Sequence, residues 1–431
     1  MKSLFNFLSL LIVTFFVTQL TAQIQYTRQN NKDGIHTFEP SKMDATEYTG
    51  FKLQIGGAFT QGFQSLQHEN VDTSAAKKNK LYALGNGFNL AAANLNFDVQ
   101  LGDGIRMFLE NYMASRHHNE FWVKGGYIQI DKLPMFGNPE WYTKYFRTKI
   151  GHMEVNYGDQ HFRRSDGGNT IFNPFVENNI MDQFATEIGA EVYAFPIDGL
   201  MLMFGMTNGL IRNNIFDYST NPAGQVQKKS PAILLKAAYD KKASDDLRYR
   251  LSVSMYSNSE TPGFTLFSGD RTGSNYFGVL ENAAYTNSTS PFTSGRFTPG
   301  TYNSVTAFIV NPFIKYKGLE VFGTYEVAKG KAITETEDRS TNQIAVEGIY
   351  RFIGEEQAFI GARYNTVTSR LAGYTTDVTV NRLAFSAGWF PTKNLLLKGE
   401  YVNQDYLDFK GTDLRNGGNF NGFVVQAVVG F

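Results

Sequence analysis

The residues best suited to chemistry in this chain are charged side chains placed two apart, rather than a compact catalytic motif. Arg147 and Lys149 form one such pair, and Arg248 and Arg250 another. In extended backbone, residues i and i+2 share a face, so each pair sets two cations on one wall. Arg106, Glu110 and Lys236 hold matching positions in other runs. A long connecting stretch, 156–183, adds Asp159, Arg163, Arg164, Asp166 and Glu177. Charges around a narrow water path with low-dielectric walls sort solutes by sign and size. These residues are therefore candidates for lining and constricting a pore. Two plainer readings compete with this one: a solvated wall whose charges balance for solubility, and a loop 156–183 that makes surface contacts alone.

Other chemistry is scarce. With no cysteine, the chain has no disulfide, no Cys-ligated zinc, no iron–sulfur cluster and no thiol nucleophile. Forty Lys+Arg face forty Asp+Glu, and that zero net charge argues against a nucleic-acid partner. None of the six histidines shows the i, i+4 helical pairing with Glu of a zinc protease. Neither a Gly-x-Ser-x-Gly elbow nor a Gly-x4-Gly-Lys-Ser/Thr loop occurs. The expectation is a protein that is not an enzyme, with no catalytic residue, metal or cofactor.

The elements that must hold these charges read as strands. From residue 50 onward, runs of about ten residues alternate with period two and are separated by turn residues. In 91–101, Ala93, Leu95, Phe97 and Val99 share one face, and Asn94, Asn96, Asp98 and Gln100 the other. In 247–257, Leu251, Val253 and Met255 alternate with Arg250, Ser252 and Ser254. Sixteen such segments run from 50–64 to 420–431; in 120–130 neither face is apolar. Even-numbered links are mostly short and odd-numbered links mostly long; the third (115–119), which is short, and the fourth (131–145), which is long, break the rule. Short periplasmic turns and long extracellular loops mark an outer-membrane barrel. The expected fold class is all-β: a transmembrane antiparallel β-barrel of about 16 strands spanning 50–431.

The ends support export. Residues 1–22 combine Lys2, the apolar run Phe7 to Phe16 and a small and polar stretch with a cleavage site after Ala22, the pattern of a cleaved signal peptide. Residues 23–49 are polar without a period and read as an N-terminal periplasmic extension. Aromatics make up 15% of the chain against 19% charged residues, an excess that lipid-facing strands and interfacial girdles account for. Phe423, Val425, Ala427, Val429 and Phe431 form one face of the last strand.

That terminal Phe431 resembles the signal read by the barrel-assembly machinery of Gram-negative bacteria. Sixteen strands with a long third outer loop resemble the trimeric porins. The stretch from Phe88 through Leu101-Gly-Asp-Gly-Ile105 to Glu110, and the element Lys149-Ile-Gly-His followed by Asn156-Tyr-Gly-Asp159, are similar to the phosphate-selective porin O/P group. The opening Gly34-Ile-His-Thr-Phe-Glu39 and Gly50 to Gly57 resemble porin-type barrels of the Bacteroidetes. The resemblance implies an outer-membrane homotrimer in contact with lipid, passing small hydrophilic solutes or anions, with loop 156–183 folded inward. Two alternatives stay open: a plugged structural or secretion-associated barrel, with 23–49 as plug or docking segment, and a barrel-embedded hydrolase. Loop 258–303, rich in Gly, Ser, Thr and Asn, is expected to be an exposed lid or a target for phage and antibodies.

Overall fold

The computed structural model describes residues 23–431 apart from 45, 72–78, 90, 115–119, 166–169, 210–217, 221–223, 225, 262–265, 268, 270–271, 285–292 and 302. The expected signal peptide, the third link and Asp166 lie outside the described residues. Sixteen strands build the wall: β1 (Lys52–Glu69), β2 (Ala92–Gly102), β3 (Ile105–Ala114), β4 (Trp122–Ile130), β5 (Phe146–Glu154), β6 (Thr186–Ile197), β7 (Leu200–Thr207) and β8 (Ala232–Lys242) make one half. The other half is β9 (Leu247–Asn258), β10 (Ser304–Tyr316), β11 (Leu319–Lys331), β12 (Arg339–Phe352), β13 (Ala358–Ser369), β14 (Val378–Thr392), β15 (Leu395–Leu407) and β16 (Asn419–Gly430).

Every strand pairs antiparallel with its chain neighbours, and β1 closes the sheet on β16 with Phe63 opposite Val425. Closure leaves no unpaired backbone edge, which hydrocarbon would not tolerate. Alternation sorts the two faces as the sequence suggests. On β9, Leu251 is 51% exposed while Arg250 is 4% exposed. Exposed Ile344, Val346, Phe385, Trp389 and Phe423 continue the outer apolar belt around the wall. Such a belt belongs against lipid; the protein is an outer-membrane β-barrel.

The ambiguous segment 120–130 has a physical explanation. The β3–β4 register slips between Glu110 and Asn111, which face Gly125 and Val123 respectively. This bulge adds a residue to β4 and reverses which face later residues occupy. Val123 and Ile128 are therefore both exposed although they differ in parity, while Lys124 and Gln129 are buried. The tight β2–β3 turn needs Gly104, at φ +72°, because a Cβ there would lie 2.7 Å from the Lys132 backbone nitrogen. The long fourth link is an ordered element at the short-turn end. It carries helix α1 (Glu140–Tyr145), and the Tyr142 hydroxyl donates to the Ile130 carbonyl at 3.0 Å.

The lumen is largely filled. The described parts of 155–185, of the N-terminal segment and of 259–303 fold inside the wall, where Tyr26, Phe38, Phe175, Ile180, Phe267, Tyr276 and Phe297 are buried. The expectation of an exposed lid at 258–303 is corrected here: Phe267, Tyr276, Val279 and Phe297 join the apolar core around residues 155–185. Polar composition hid these widely spaced aromatics.

Candidate functional site

The inserted loop is fastened by side chains of the wall. Arg363 from β13 pairs with Glu347 of β12 at 2.7 Å and donates to the Glu177 carbonyl at 2.8 Å. Arg382 from β14 donates to the Asn178 carbonyl at 2.6 Å. Lys398 from β15 reaches the carbonyls of Thr170, Asn173 and Phe175 at 3.1, 2.8 and 2.7 Å. The Val176 amide donates to Glu400, and the Ile180 amide to Asn365. A buried loop otherwise leaves its backbone groups unsatisfied, and here the strand side chains supply the missing partners.

Several predicted site residues lie in these fastenings. Arg163 donates to Glu347 at 2.9 Å and also pairs with Glu320. Arg164 forms a two-pronged pair with Asp182 at 2.6 and 2.8 Å. Glu177 pairs with Arg296 at 3.0 Å and accepts from the Asn275 amide at 2.7 Å. Asp159 takes Arg250 at 2.8 Å and Lys236 at 2.8 Å. Burial opposes the charge on Asp159, but Arg250 and Lys236 overcome it and hold its carboxyl down at about 2. Arg248 pairs with Asp240 at 2.6 Å and donates to the His36 carbonyl. Arg147 pairs with Asp131 at 2.8 Å and donates to the Pro40 carbonyl.

The N-terminal segment threads between this filling and the short-turn end of the wall. Gln25 bonds to Gln100, Lys42 pairs with Asp131 at 3.2 Å, and Glu39 meets Arg250 at 2.7 Å and Lys236 at 3.0 Å. Arg28 stacks 3.7 Å from the Phe172 ring centroid and donates to the Phe162 carbonyl.

Against the opposite wall a cavity of about 220 Å³ remains. Strands β2–β5 line it with Asp98, Arg106, Glu110, Lys124, Tyr127, Gln129, Lys149 and Glu154, and the filling contributes Arg28, His161 and Phe162. Arg106 pairs with Asp98 at 2.6 Å and donates to the Tyr127 hydroxyl and Gln129 at 3.1 Å each. Lys124 lies 3.7 Å from Glu110. Lys149 stands 5.0 and 5.4 Å from the centroids of Tyr127 and Tyr193. Among the described residues, neither Lys149 nor Arg28 has a carboxylate within ion-pair distance, and the lining sets the four cations Arg28, Arg106, Lys124 and Lys149 against the three carboxylates of Asp98, Glu110 and Glu154. Of the candidates, the structure brings Arg106, Glu110 and Lys149 together at the cavity and the other described ones into the fastenings.

Sequence reasoning missed Arg28, Glu39, Lys42, Lys124 and Asp131. The bulge disguised Lys124, and the lack of periodicity in 23–49 gave no sign that its charges face inward. Asp131 sits at the start of the anomalously long fourth link, and that length was the available signal.

No family model matches the chain, and no curated protein matches it. Solved structures do. OmpF of Salmonella typhi, in complex with daunomycin, aligns with a TM-score of 0.54 at 12% identity, over 89% of this chain and 99% of that one. An anion-selective porin from Comamonas acidovorans aligns at 0.52 and 12%, over 88% of this chain and 100% of that one. In-vitro folded OmpT of Vibrio cholerae in its trimer form aligns at 0.50 and 11%, over 89% of this chain and 100% of that one. These are likenesses of fold. They correct one expectation: the exclusion of an enzyme is withdrawn. A barrel shared at 11–12% identity is a likeness of fold alone and says nothing for or against catalysis.

Proposed function

We propose that this protein is an outer-membrane porin passing small hydrophilic solutes, with a preference for anions. The observation that carries the reading is the cavity between the filling and strands β2–β5, where Lys149 and Arg28 stand without carboxylate partners. Wall charges in a confined water path weigh strongly on permeation. Its structural neighbours are porins and other outer-membrane proteins. Assembly as a homotrimer, and recognition of Phe431 by the barrel-assembly machinery, belong to the same proposal; the Phe431 side chain is 53% exposed at the end of the closing strand. Residues 1–22 are proposed as the export signal.

The test is single-channel recording of the purified, folded protein in planar bilayers, with reversal potentials in a salt gradient. Discrete conductance steps with anion-leaning reversal support the reading; a silent bilayer sinks it. A silent bilayer together with co-purifying envelope proteins favours a second reading, a plugged structural or secretion-associated barrel. That alternative is motivated by the ion pairs that fasten both the N-terminal segment and residues 155–185 to the wall.

A further inference from the structure

The most convergent set of donors in the lumen is occupied by the chain itself. The Glu39 carboxylate lies 2.7 Å from Arg250 Nη2, 3.0 Å from Lys236 Nζ and 3.0 Å from Asn156 Nδ2. Arg250 belongs to β9, Lys236 to β8 and Asn156 to the inserted loop, so three separately anchored elements meet on one carboxylate. Arg250 and Lys236 are 4% and 3% exposed, which makes this a built, desolvated cradle. Burial opposes the charge on Glu39, yet Arg250 and Lys236 hold its carboxyl well below the usual carboxylate range.

The second carboxylate in the cluster is held quite differently. Asp159 grips the other edge of Arg250 at 2.8 and 2.9 Å, and its own amide donates to Asn311 at 2.9 Å. The neighbouring Gly158 amide donates to Ser254 at 3.1 Å. Asp159 is thus fixed to the wall by backbone as well as side chain. Glu39 sits in a segment that joins no strand of the sheet, and whose regular structure among the described residues is one short turn, Lys32–Gly34. Without Glu39, the two buried cations would keep Asp159 and, for Arg250, the more distant Asp240 at 3.5 Å, itself already paired with Arg248; a buried charge short of a partner is costly until another anion replaces the lost one.

We propose that Arg250, Lys236 and Asn156 form a carboxylate-binding subsite of the lumen, and that Glu39 is its tethered occupant. The N-terminal segment is then a blocker carried by the chain itself, displaced by small soluble carboxylates. A tether supplies its ligand at an effective concentration of the order of millimolar, so free carboxylates compete when they exceed that level. The consequence for transport rests on the channel reading above; the binding does not.

Because the chain contains no cysteine, a thiol placed on the segment reports its position. Thr37→Cys, two residues from Glu39, is labelled with a maleimide in the folded full-length protein. Adding Glu39→Gln raises the labelling rate about thirtyfold or more, as losing one partner of a buried charge pair would, whereas Glu39→Asp changes it little. With Glu39 intact, succinate or acetate at 100-fold millimolar excess speeds labelling relative to chloride at equal ionic strength, and Arg250→Ala abolishes that difference. Calorimetric titration of folded Glu39→Gln protein with succinate gives saturable heat that Lys236→Ala removes. Labelling indifferent to both Glu39→Gln and carboxylates overturns the proposal, as does the absence of saturable heat. If labelling and heat respond while bilayers stay silent, the subsite stands and the channel reading fails. If bilayers conduct while labelling and heat do not respond, the reverse holds.

Discussion

Strands β2–β5 and strands β12–β15 present the same kinds of side chain to the same lumen, yet they do different work. On β12–β15, Glu347, Arg363, Arg382 and Lys398 are each bonded to the inserted loop or to a partner that is. On β2–β5, Arg106 and Lys124 pair within the wall, and Lys149 rests between two tyrosine rings. One half acts as a socket for the chain's own loop and the other as the bank of a cavity. The difference is one of occupancy: a buried guanidinium aimed at a backbone carbonyl stabilises the fold, and a cation facing the cavity shapes what enters it.

The largest expected effect breaks the socket half. Arg363→Ala removes the pair with Glu347 and the bond to the Glu177 carbonyl, both fully buried. Breaking one partner of a buried pair costs about 3–5 kcal/mol, so urea unfolding followed by gel mobility should shift strongly. Lys149→Ala in the bank should shift it by less than about 0.5 kcal/mol, as for sites away from such networks. Equal shifts in the two variants would erase the distinction between the halves.

Selectivity should respond the other way. Lys149→Glu reverses a charge facing the cavity and should lower the anion-to-cation permeability ratio by about tenfold, the effect of ~1.4 kcal/mol. Reversal potentials in a salt gradient check this. Arg248→Ala, whose guanidinium is already paired with Asp240, should leave the ratio nearly unchanged. A larger shift from Arg248→Ala than from Lys149→Glu would move the selective path to the other half.

The contrast also marks how far the sequence can be read. Period-two alternation places Arg147 and Lys149 on the same inner face, and both are there. It says nothing of what stands opposite each, and that decides their roles. Arg147 meets Asp131 and the Pro40 carbonyl, brought by a link and by a segment about a hundred residues away, while Lys149 meets open space and aromatic rings. The wall was legible because its periodicity is local. The filling was not, because residues 23–49 and 259–303 have no period, and their contacts are fixed by long-range pairs such as Glu39 with Arg250. The slipped register at Glu110 and Asn111 hid Lys124 for the same reason: a bulge is a relation between two strands.

Acid should loosen the filling before it unfolds the wall. Burial, the largest influence, depresses both His36 and His161 well below the ordinary imidazole value. Around His36 stand Glu320, Arg351, Arg163 and Lys315; around His161 stand Lys236, Glu39, Asp159 and Lys149. A released histidine binds a proton below about 6.5 while the inserted one does not, so insertion weakens as pH falls through that value. The depressed carboxyl of Asp159 behaves oppositely in range: its contribution is full above the unfolded value near 4 and is lost as pH approaches about 2. Labelling of Thr37→Cys, taken relative to a free thiol at the same pH because the reactive thiolate itself becomes scarcer in acid, should therefore rise modestly between pH 7 and 5. His36→Gln with His161→Gln should flatten that rise, and a rise that persists in the double variant would assign it to other groups.

The smallest effect is expected where the N-terminal segment touches the rim. Lys393 and Asp33 form an ion pair at 3.3 Å, with side chains 61% and 57% exposed. Exposed pairs contribute less than ~1 kcal/mol, because water screens the attraction and two flexible side chains must be ordered. The adjoining backbone bond from the Lys32 amide to the Lys393 carbonyl survives loss of the side-chain charge. Asp33→Asn should therefore leave labelling at Thr37 within about twofold of the parent, and raising the salt concentration should reproduce whatever small change it causes. Glu39 has the same charge on the same segment, but its partners Lys236 and Arg250 are buried, with side chains 0% and 3% exposed. If Asp33→Asn released the segment as fully as Glu39→Gln, the rim would be holding it, and the interior pairs would be a consequence of insertion rather than its cause.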